Sequence, residues 1–324
     1  MILKDIMNFS ACLEDVPCPN GCSSNDKILL TGHDLHHDLP GDFNVVICQS
    51  CKLIRTNPRP NPSAMSFYYP DDYSPYASGG DDQSTLQPIN FFKKIFTPLV
   101  RHLFAFNTNI LPPVKIGNML EIGCASGDFL QRMAAIGWKV EGVEFSSMAA
   151  SKAINKGFQV HVGSLETTPF PKQRLDLIVG WMVLEHLHDP IKALTNMQKW
   201  IKLDGYFVFS VPNAASFEFN LFGNKWDALQ LPNHLYHFTP TTLRDILYTS
   251  GWQIEKIYYH RTFSSFIASL GCLLRARGYT NLGGRLINFP WSAGRWIYLL
   301  FPIAWIFSLF GQTGAMTVWA RVRQ

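Results

Sequence analysis

Between residues 114 and 260 the apolar positions follow two alternating rhythms. Short unbroken runs suit strands buried on both faces, and longer stretches repeat every three to four residues, as on one side of a helix. The runs lie at 119–122, Trp138–Glu144, Phe158–Val162, Leu175–Trp181 and Tyr206–Val211. Helical stretches stand between them: one that stops at Gly137, one over Ser146–Lys156 and one over Ile191–Leu203. A further helix is expected at Pro240, capped by Thr239, before a strand over Trp252–His260. The pattern predicts an α/β sheet domain. A last strand-like run, Ala315–Arg323, comes only after a long apolar stretch.

Two other segments are amphipathic or apolar without fitting that alternation. In 91–106, Phe91, Ile95, Leu99 and Leu103 recur at steps of four, with Lys93, Lys94, Arg101 and His102 on the other side, which predicts a basic amphipathic helix interrupted at Pro98. From Trp296 to Ala320 there is no charged residue, but the unbroken apolar run Trp296–Phe310 is shorter than the roughly 20 residues a spanning helix needs and contains Pro302. Residues 256–324 carry eight Lys/Arg and no Asp or Glu, against a whole-chain balance of 28 to 24. With Trp291, Trp296 and Trp305 this predicts a helical pair lying against an anionic leaflet, a dimer interface or a lid. The N-terminal stretch has acids and no sustained apolar core, unlike a secretory signal, and seven Cys without an export signal point to reduced thiols in the cytoplasm.

The segment Met119–Phe145 carries the most specific chemistry. A strand ends in Gly123 and Gly127 flanking Cys124, Ala125 and Ser126, a helix follows, and the next strand ends on Glu144. Small residues at a strand-to-helix turn let a ligand approach the backbone beside free N–H groups, and a carboxylate closing the adjacent strand suits ribose hydroxyls. Read only from these residues, an NAD-type or a ligand-free Rossmann unit is the alternative. The spacing Glu121-x-Gly123-x-Ala125-x-Gly127 resembles the first motif of class I S-adenosylmethionine-dependent methyltransferases, with Ala125 where that motif has Gly. The resemblance implies a Rossmann-like sheet, parallel except for an antiparallel last strand. It implies donor contacts from Glu121, Gly123, Cys124, Ala125, Gly127, Glu144, Phe145, Ser164, Leu165 and Glu185. Leu184-Glu185-His186 followed by Asp189-Pro190 is similar to the small-molecule members of that family, and places Glu185 and His186 near the transferred methyl group.

Cys18, Cys22, Cys48 and Cys51 form two close pairs 25 residues apart, the donor set of a closed, structural zinc site; Cys12, His33, His36 and His37 are possible replacements for one ligand. The Arg55–Pro62 and Phe67–Tyr69 stretches that follow resemble the N-terminal module of a methyltransferase subset that includes sugar C-methyltransferases, whose Tyr-rich segment, here with Tyr73, lies over the acceptor. A proline-stiffened linker is the alternative. His234, Tyr236 and His237, with His186, are the candidate general bases.

The expected layout is a zinc module over 1–70, a linker and amphipathic helix over 71–113, a methyltransferase domain over 114–260 plus 315–324, and a hydrophobic helical insertion over 261–314. The expected activity is methyl transfer from S-adenosylmethionine to a small or lipid-linked acceptor, foremost a sugar or glycan precursor, in the cytoplasm or on the inner face of a membrane. A membrane quinone O-methyltransferase, an RNA methyltransferase and a non-catalytic membrane adaptor are the rivals. Lys27 is the single basic residue between Cys12 and Cys51, which argues against a nucleic-acid grip by the module. An oligomer would use 261–314.

Overall fold

A computed structural model describes residues 12–23, 25–69, 105–169, 172–292 and 298–323. The predicted amphipathic helix over 91–106 lies, but for its last two residues, outside the described residues, as does Tyr73. At the N-terminus β1 (Leu13–Glu14) pairs with β5 (Arg59–Pro60), while β2 (Asp26–Gly32), β3 (Phe43–Cys48) and β4 (Ile54–Thr56) form an antiparallel meander. The Arg55–Pro62 stretch is therefore packed structure and not a linker. Arg55 is 2% exposed and forks onto Asp26 at 2.9 and 2.5 Å, and Arg59 is bound by Glu14 at 2.7 Å.

The larger sheet contains β6 (Asn118–Ile122), β7 (Lys139–Glu144), β8 (Gln159–Val162), β9 (Leu175–Trp181) and β10 (Ile201–Pro212). Its helices are α1 (Asp128–Ala135), α2 (Ser147–Asn155), α3 (Pro190–Trp200), α4 (Phe217–Phe222) and α5 (Pro240–Thr249). Between α4 and α5, β11 (Tyr236–His237) leaves this sheet and pairs with β4 of the N-terminal meander. After α5 come β12 (Trp252–Tyr259) and, at the end of the described chain, β13 (Ala315–Val322). The strand order is β12-β13-β10-β9-β6-β7-β8, with β13 antiparallel to both neighbours and the other pairs parallel. This is the Rossmann-like arrangement expected from the sequence.

Local signals account for most element ends. Thr239 and Thr242 form a capping box with Pro240 in the first turn of α5, and Asp189 caps α3 by accepting from the Lys192 amide at 2.9 Å. One boundary differs from expectation. Helix α3 stops at Trp200, not Leu203, and the chain enters β10 at Ile201, which pairs with Leu175. Trp200 and Ile201 are both buried, and Gly205 approaches Ile201 so closely that a β-carbon would lie 2.7 Å from it. Burying both apolar side chains on the sheet outweighs one more helical turn.

Residues 261–314 carry four α-helices among the described residues: α6 (Ser264–Ala276), α7 (Thr280–Ile287), α8 (Phe289–Ser292) and α9 (Phe301–Leu309). Helices α6 and α7 touch at Gly271 and Gly283, where an added β-carbon would lie 2.7 Å from the Gly283 carbonyl. The buried side of α6 packs on 227–231, and Ser269 accepts from the Asp227 amide at 2.8 Å. Arg275 reaches Asp38 of the meander. No described helix is long and apolar enough to cross a membrane.

One core runs through all three regions, with Phe43, Val45 and Leu53 of the meander joined to Phe207, Trp226 and Leu231. The described residues before 70 thus share a core with the larger sheet, and their meander takes in one strand, β11, from the segment between α4 and α5.

His260, at the end of β12, is 5% exposed and shares a 2.9 Å hydrogen bond with Thr317, whose hydroxyl donates to the Thr108 carbonyl at 2.6 Å. The imidazole therefore donates through Nε2, and burial lowers its pKa to about 4. Such a depressed histidine is unprotonated in both states above its unfolded pKa of about 6.5, so it favours unfolding progressively as pH falls from there to about 4. We expect stability to fall over that window by on the order of 3 kcal/mol from this group. Urea midpoints of wild type and His260→Asn, compared at pH 7 and pH 4.5, measure it: the variant should lose less on acidification.

Candidate active site

The donor end of the site is built by the turn between β6 and α1. Gly123, Ala125 and Gly127 all have left-handed backbone, with φ of 66°, 45° and 79°. A β-carbon at Gly123 would lie 2.7 Å from Val183, and one at Gly127 would lie 2.9 Å from Ala153 of α2. Both glycines are thus required by packing as well as by φ, whereas Ala125 occupies a conformation that costs an L-residue about 1 to 2 kcal/mol. What holds it there is Glu144. This carboxylate accepts from the Ala125 amide at 2.9 Å and from the Ser146 amide at 2.8 Å, clamping the turn to the end of β7. Burial raises the Glu144 pKa, and the backbone donors of Ser146, Ala125 and Phe145 oppose that shift.

A cavity of about 1050 Å³ opens beside this turn. Gly123, Ala125, Glu144, Phe145, Ser164 and Leu165 line it, as the donor assignment requires. Four of the expected donor residues do not. Glu121 is buried in β6 beneath the turn, and Cys124 turns inward, its Sγ sitting 2.5 Å from where a β-carbon of Gly142 would be. Gly127 serves the close approach of α2, and Glu185 is fully buried behind the wall.

The acceptor end is assembled from distant parts of the chain. After β9, Met182 takes φ of 55° and hands over to a 3-10 turn, Leu184–His186. His186 Nδ1 lies 3.0 Å from the Asn233 carbonyl and 2.8 Å from the Tyr69 hydroxyl. A carbonyl only accepts, so Nδ1 carries the proton and Nε2 keeps its lone pair. His234 Nδ1 in the same way donates to the Ala228 carbonyl at 2.8 Å. The two rings meet edge to face at 4.6 Å between centroids. Burial lowers His186 to about 4 and holds His234 well below the usual range, and the same cause pushes Glu185 up to about 8.

Two candidate bases lie elsewhere. Tyr236 and His237 form β11, where Tyr236 binds Arg59 at 3.2 Å and His237 Nε2 meets Thr56 at 3.3 Å; neither lines the cavity. Their side chains stitch the meander to the sheet, because a strand position offers each residue to a neighbouring strand rather than to the crevice. Residues not singled out as acceptor contacts take their place. Asp34, His36 and His37 come from the meander and Asp227 and Asn233 from the loop before β11, while Tyr69, part of the Tyr-rich stretch expected over the acceptor, follows the 3-10 turn Met65–Tyr68 and lines the cavity as well. His36 faces Asp227 at 3.5 Å. The Tyr-rich stretch and the histidine cluster of residues 33–37 were the available signals.

Cys18, Cys22, Cys48 and Cys51 bring their sulfurs within 4.8 Å of one another, with Cys18 and Cys51 at 3.5 Å. Four thiolates around zinc at about 2.3 Å stand about 3.8 Å apart, so the set fits a tetrahedral ion. Backbone N–H groups of Ser50 and Cys51 point at the Cys48 sulfur, and that of Asn20 at Cys18, as a turn holding thiolates requires. The histidines at 33, 36 and 37 are not needed as ligands.

Strand order, the left-handed turn and the carboxylate at the end of β7 together define a Rossmann-like class I methyltransferase architecture. The chain matches the methyltransferase-domain family over residues 92–257, just over half its length, and belongs to that family. It is 25% identical over 140 residues to a probable S-adenosylmethionine-dependent methyltransferase of Mycolicibacterium smegmatis, covering 43% of this chain and 52% of the relative. It is 26% identical over 145 residues to a ubiquinone biosynthesis O-methyltransferase of Cereibacter sphaeroides, covering 41% and 59%. The matched region thus spans between half and three fifths of these relatives. An S-adenosylmethionine-dependent methyltransferase from Mesorhizobium loti is similar in structure, with TM-score 0.43, 17% identity, and 65% and 93% of the two chains covered. Family membership supports S-adenosylmethionine as the methyl donor.

Replacing Glu144 by Gln substitutes an NH2 for one of two oxygens that each accept from a backbone N–H. S-adenosylmethionine affinity, measured by calorimetry, should weaken by roughly 1.5 to 3 kcal/mol, about ten- to hundredfold. Unchanged affinity would place the ribose elsewhere.

Proposed function

We propose that this protein transfers the methyl group of S-adenosylmethionine to a small polyhydroxylated acceptor, a sugar or glycan precursor. The observation that carries this reading is the composition of the acceptor wall. Beyond the donor turn the cavity is faced by Asp34, His36, Asp227, Asn233 and His234, side chains that pair with hydroxyl groups. A flat apolar ring such as a quinone would leave the Oδ1 of buried Asn233, which has no partner within the protein, still unpaired, at a cost of about 1 to 3 kcal/mol. The methyl group moves by in-line displacement at the sulfonium, so the protein mainly aligns the two reactants and excludes water. The acceptor oxygen or carbon would lie against the imidazole edges of His186 and His234, with the Tyr69 hydroxyl 2.8 Å from His186.

The four cysteines support a structural zinc. All four positions would be filled by sulfur, leaving none for chemistry. Its role is to tie the ends of β3 to the segment before β2, and so to hold the meander whose residues 34–37 face the acceptor.

A lipid surface is supported as a second partner by α9. This helix buries Phe301, Ala304 and Ser308 but exposes Ile303, Ile306 and Leu309, with Leu299 and Phe310 at 68% and 73% exposure beside them. Such a patch, in a segment without acids, suits the interface of an anionic leaflet.

Three measurements test these readings. Incubation of the protein with isotopically labelled donor and parallel sets of nucleotide-linked sugars and demethylated quinones should label only the sugars; label in the quinones alone would reverse the assignment. The double substitution Cys48→Ser, Cys51→Ser should release one zinc per chain by elemental analysis and expose the meander to protease, and wild type purified without chelator yet free of zinc would end that assignment. Phe310→Ser with Leu309→Ser should reduce co-sedimentation with anionic vesicles severalfold, and equal sedimentation of both proteins would remove the lipid partner.

A further inference from the structure

Behind the acceptor wall stands a group that the alignment of donor and acceptor does not use. Glu185 is fully buried, and neither of its carboxylate oxygens has a hydrogen-bond partner. Its own carbonyl accepts from the Leu235 amide at 2.7 Å, which locks the turn that carries it to the loop that carries His234. A carboxylate oxygen of Glu185, a ring nitrogen of His186 and a ring nitrogen of His234 lie within 4.8 Å of one another. Burying a carboxyl group without a partner costs several kcal/mol unless something else is supplied to it.

The two imidazoles show what that is. Each sets Nδ1–H against a backbone carbonyl, His186 against Asn233 at 3.0 Å, with the Tyr69 hydroxyl sharing that nitrogen at 2.8 Å, and His234 against Ala228 at 2.8 Å. This is the outer hydrogen bond by which metal-binding histidines fix their tautomer and present Nε2 as a lone pair. Both rings line the cavity. We propose that Glu185, His186 and His234 form a second metal site, distinct from the four cysteines, that binds a divalent transition ion at the base of the acceptor lobe. Two imidazoles and one carboxylate suit zinc, manganese, iron or cobalt, and leave positions open toward the cavity. Those positions suit an acceptor with two adjacent oxygens, such as a vicinal diol; that part of the inference rests on the methyl-transfer reading, while metal binding itself does not.

The test uses the full chain, stripped with chelator and titrated with cobalt(II). Cobalt on the cysteines gives intense sulfur-to-metal charge-transfer absorption, whereas cobalt on two histidines and a carboxylate gives only weak d–d bands, so the sites are read separately. The expected result is a bound equivalent that adds no charge-transfer intensity, lost or weakened at least tenfold in Glu185→Gln and in His234→Ala, with the thiolate band retained in both as the sign of an intact fold. Wild type that binds cobalt only with charge-transfer absorption overturns the proposal, and so does a non-thiolate equivalent that persists unchanged in both variants. Because wild type decides the first point alone, a variant that fails to fold does not rescue the idea. S-adenosylmethionine binding, measured in the same samples, reports separately on the methyl-transfer reading.

Discussion

Two residues of backbone pairing determine the shape of the cavity wall opposite the glycine turn. Tyr236 and His237 leave the loop after α4 to pair with Arg55 and Ile54, and the Leu235 amide next to them bonds the Glu185 carbonyl at 2.7 Å. Main-chain hydrogen bonds of this kind fix register to within a residue, and a slip of one would turn every side chain to the opposite face. Through this contact the N-terminal meander, the Leu184–His186 turn and the loop carrying His234 share one frame. Neither half could hold these side chains alone, because each supplies only part of the wall.

The donor side rests on a different constraint. Its turn requires three left-handed residues in five, and one of them is Ala125. The strain is offset locally by Glu144, whose oxygens accept from the amides of Ala125 and Ser146. The same carboxylate both shapes the turn and faces the cavity. Such clustering of strain at a ligand site is a recurring property of preorganised pockets.

The helical segment before the last strand serves packing first. Its α6 covers the loop at Asp227 and closes the acceptor end, and Arg275 joins it to Asp38 of the meander. What it leaves over is the apolar side of α9, none of whose residues lines the cavity.

The strand-helix alternation, the glycine turn, the carboxylate on the neighbouring strand and the cysteine pairs were legible from the chain, because each is written in a short window. Gly123, Gly127 and Glu144 are recognised by spacing alone, and Cys18, Cys22, Cys48 and Cys51 by two close pairs. Less was legible where burial at a distance competes with local preference. Helix α3 yields to the sheet at Ile201, and Cys124 and Glu121, though inside the motif, turn away from the cavity because neighbouring strands claim them. The membership of the acceptor wall was decided only by folding. His36 meets Asp227, Tyr69 meets His186, and Tyr236 and His237 are withdrawn into a strand. These pairs lie from 117 to 191 residues apart, and no local pattern encodes which polar side chain will face a cavity. That follows from the pairing of β4 with β11, which exists only once both sheets are in place.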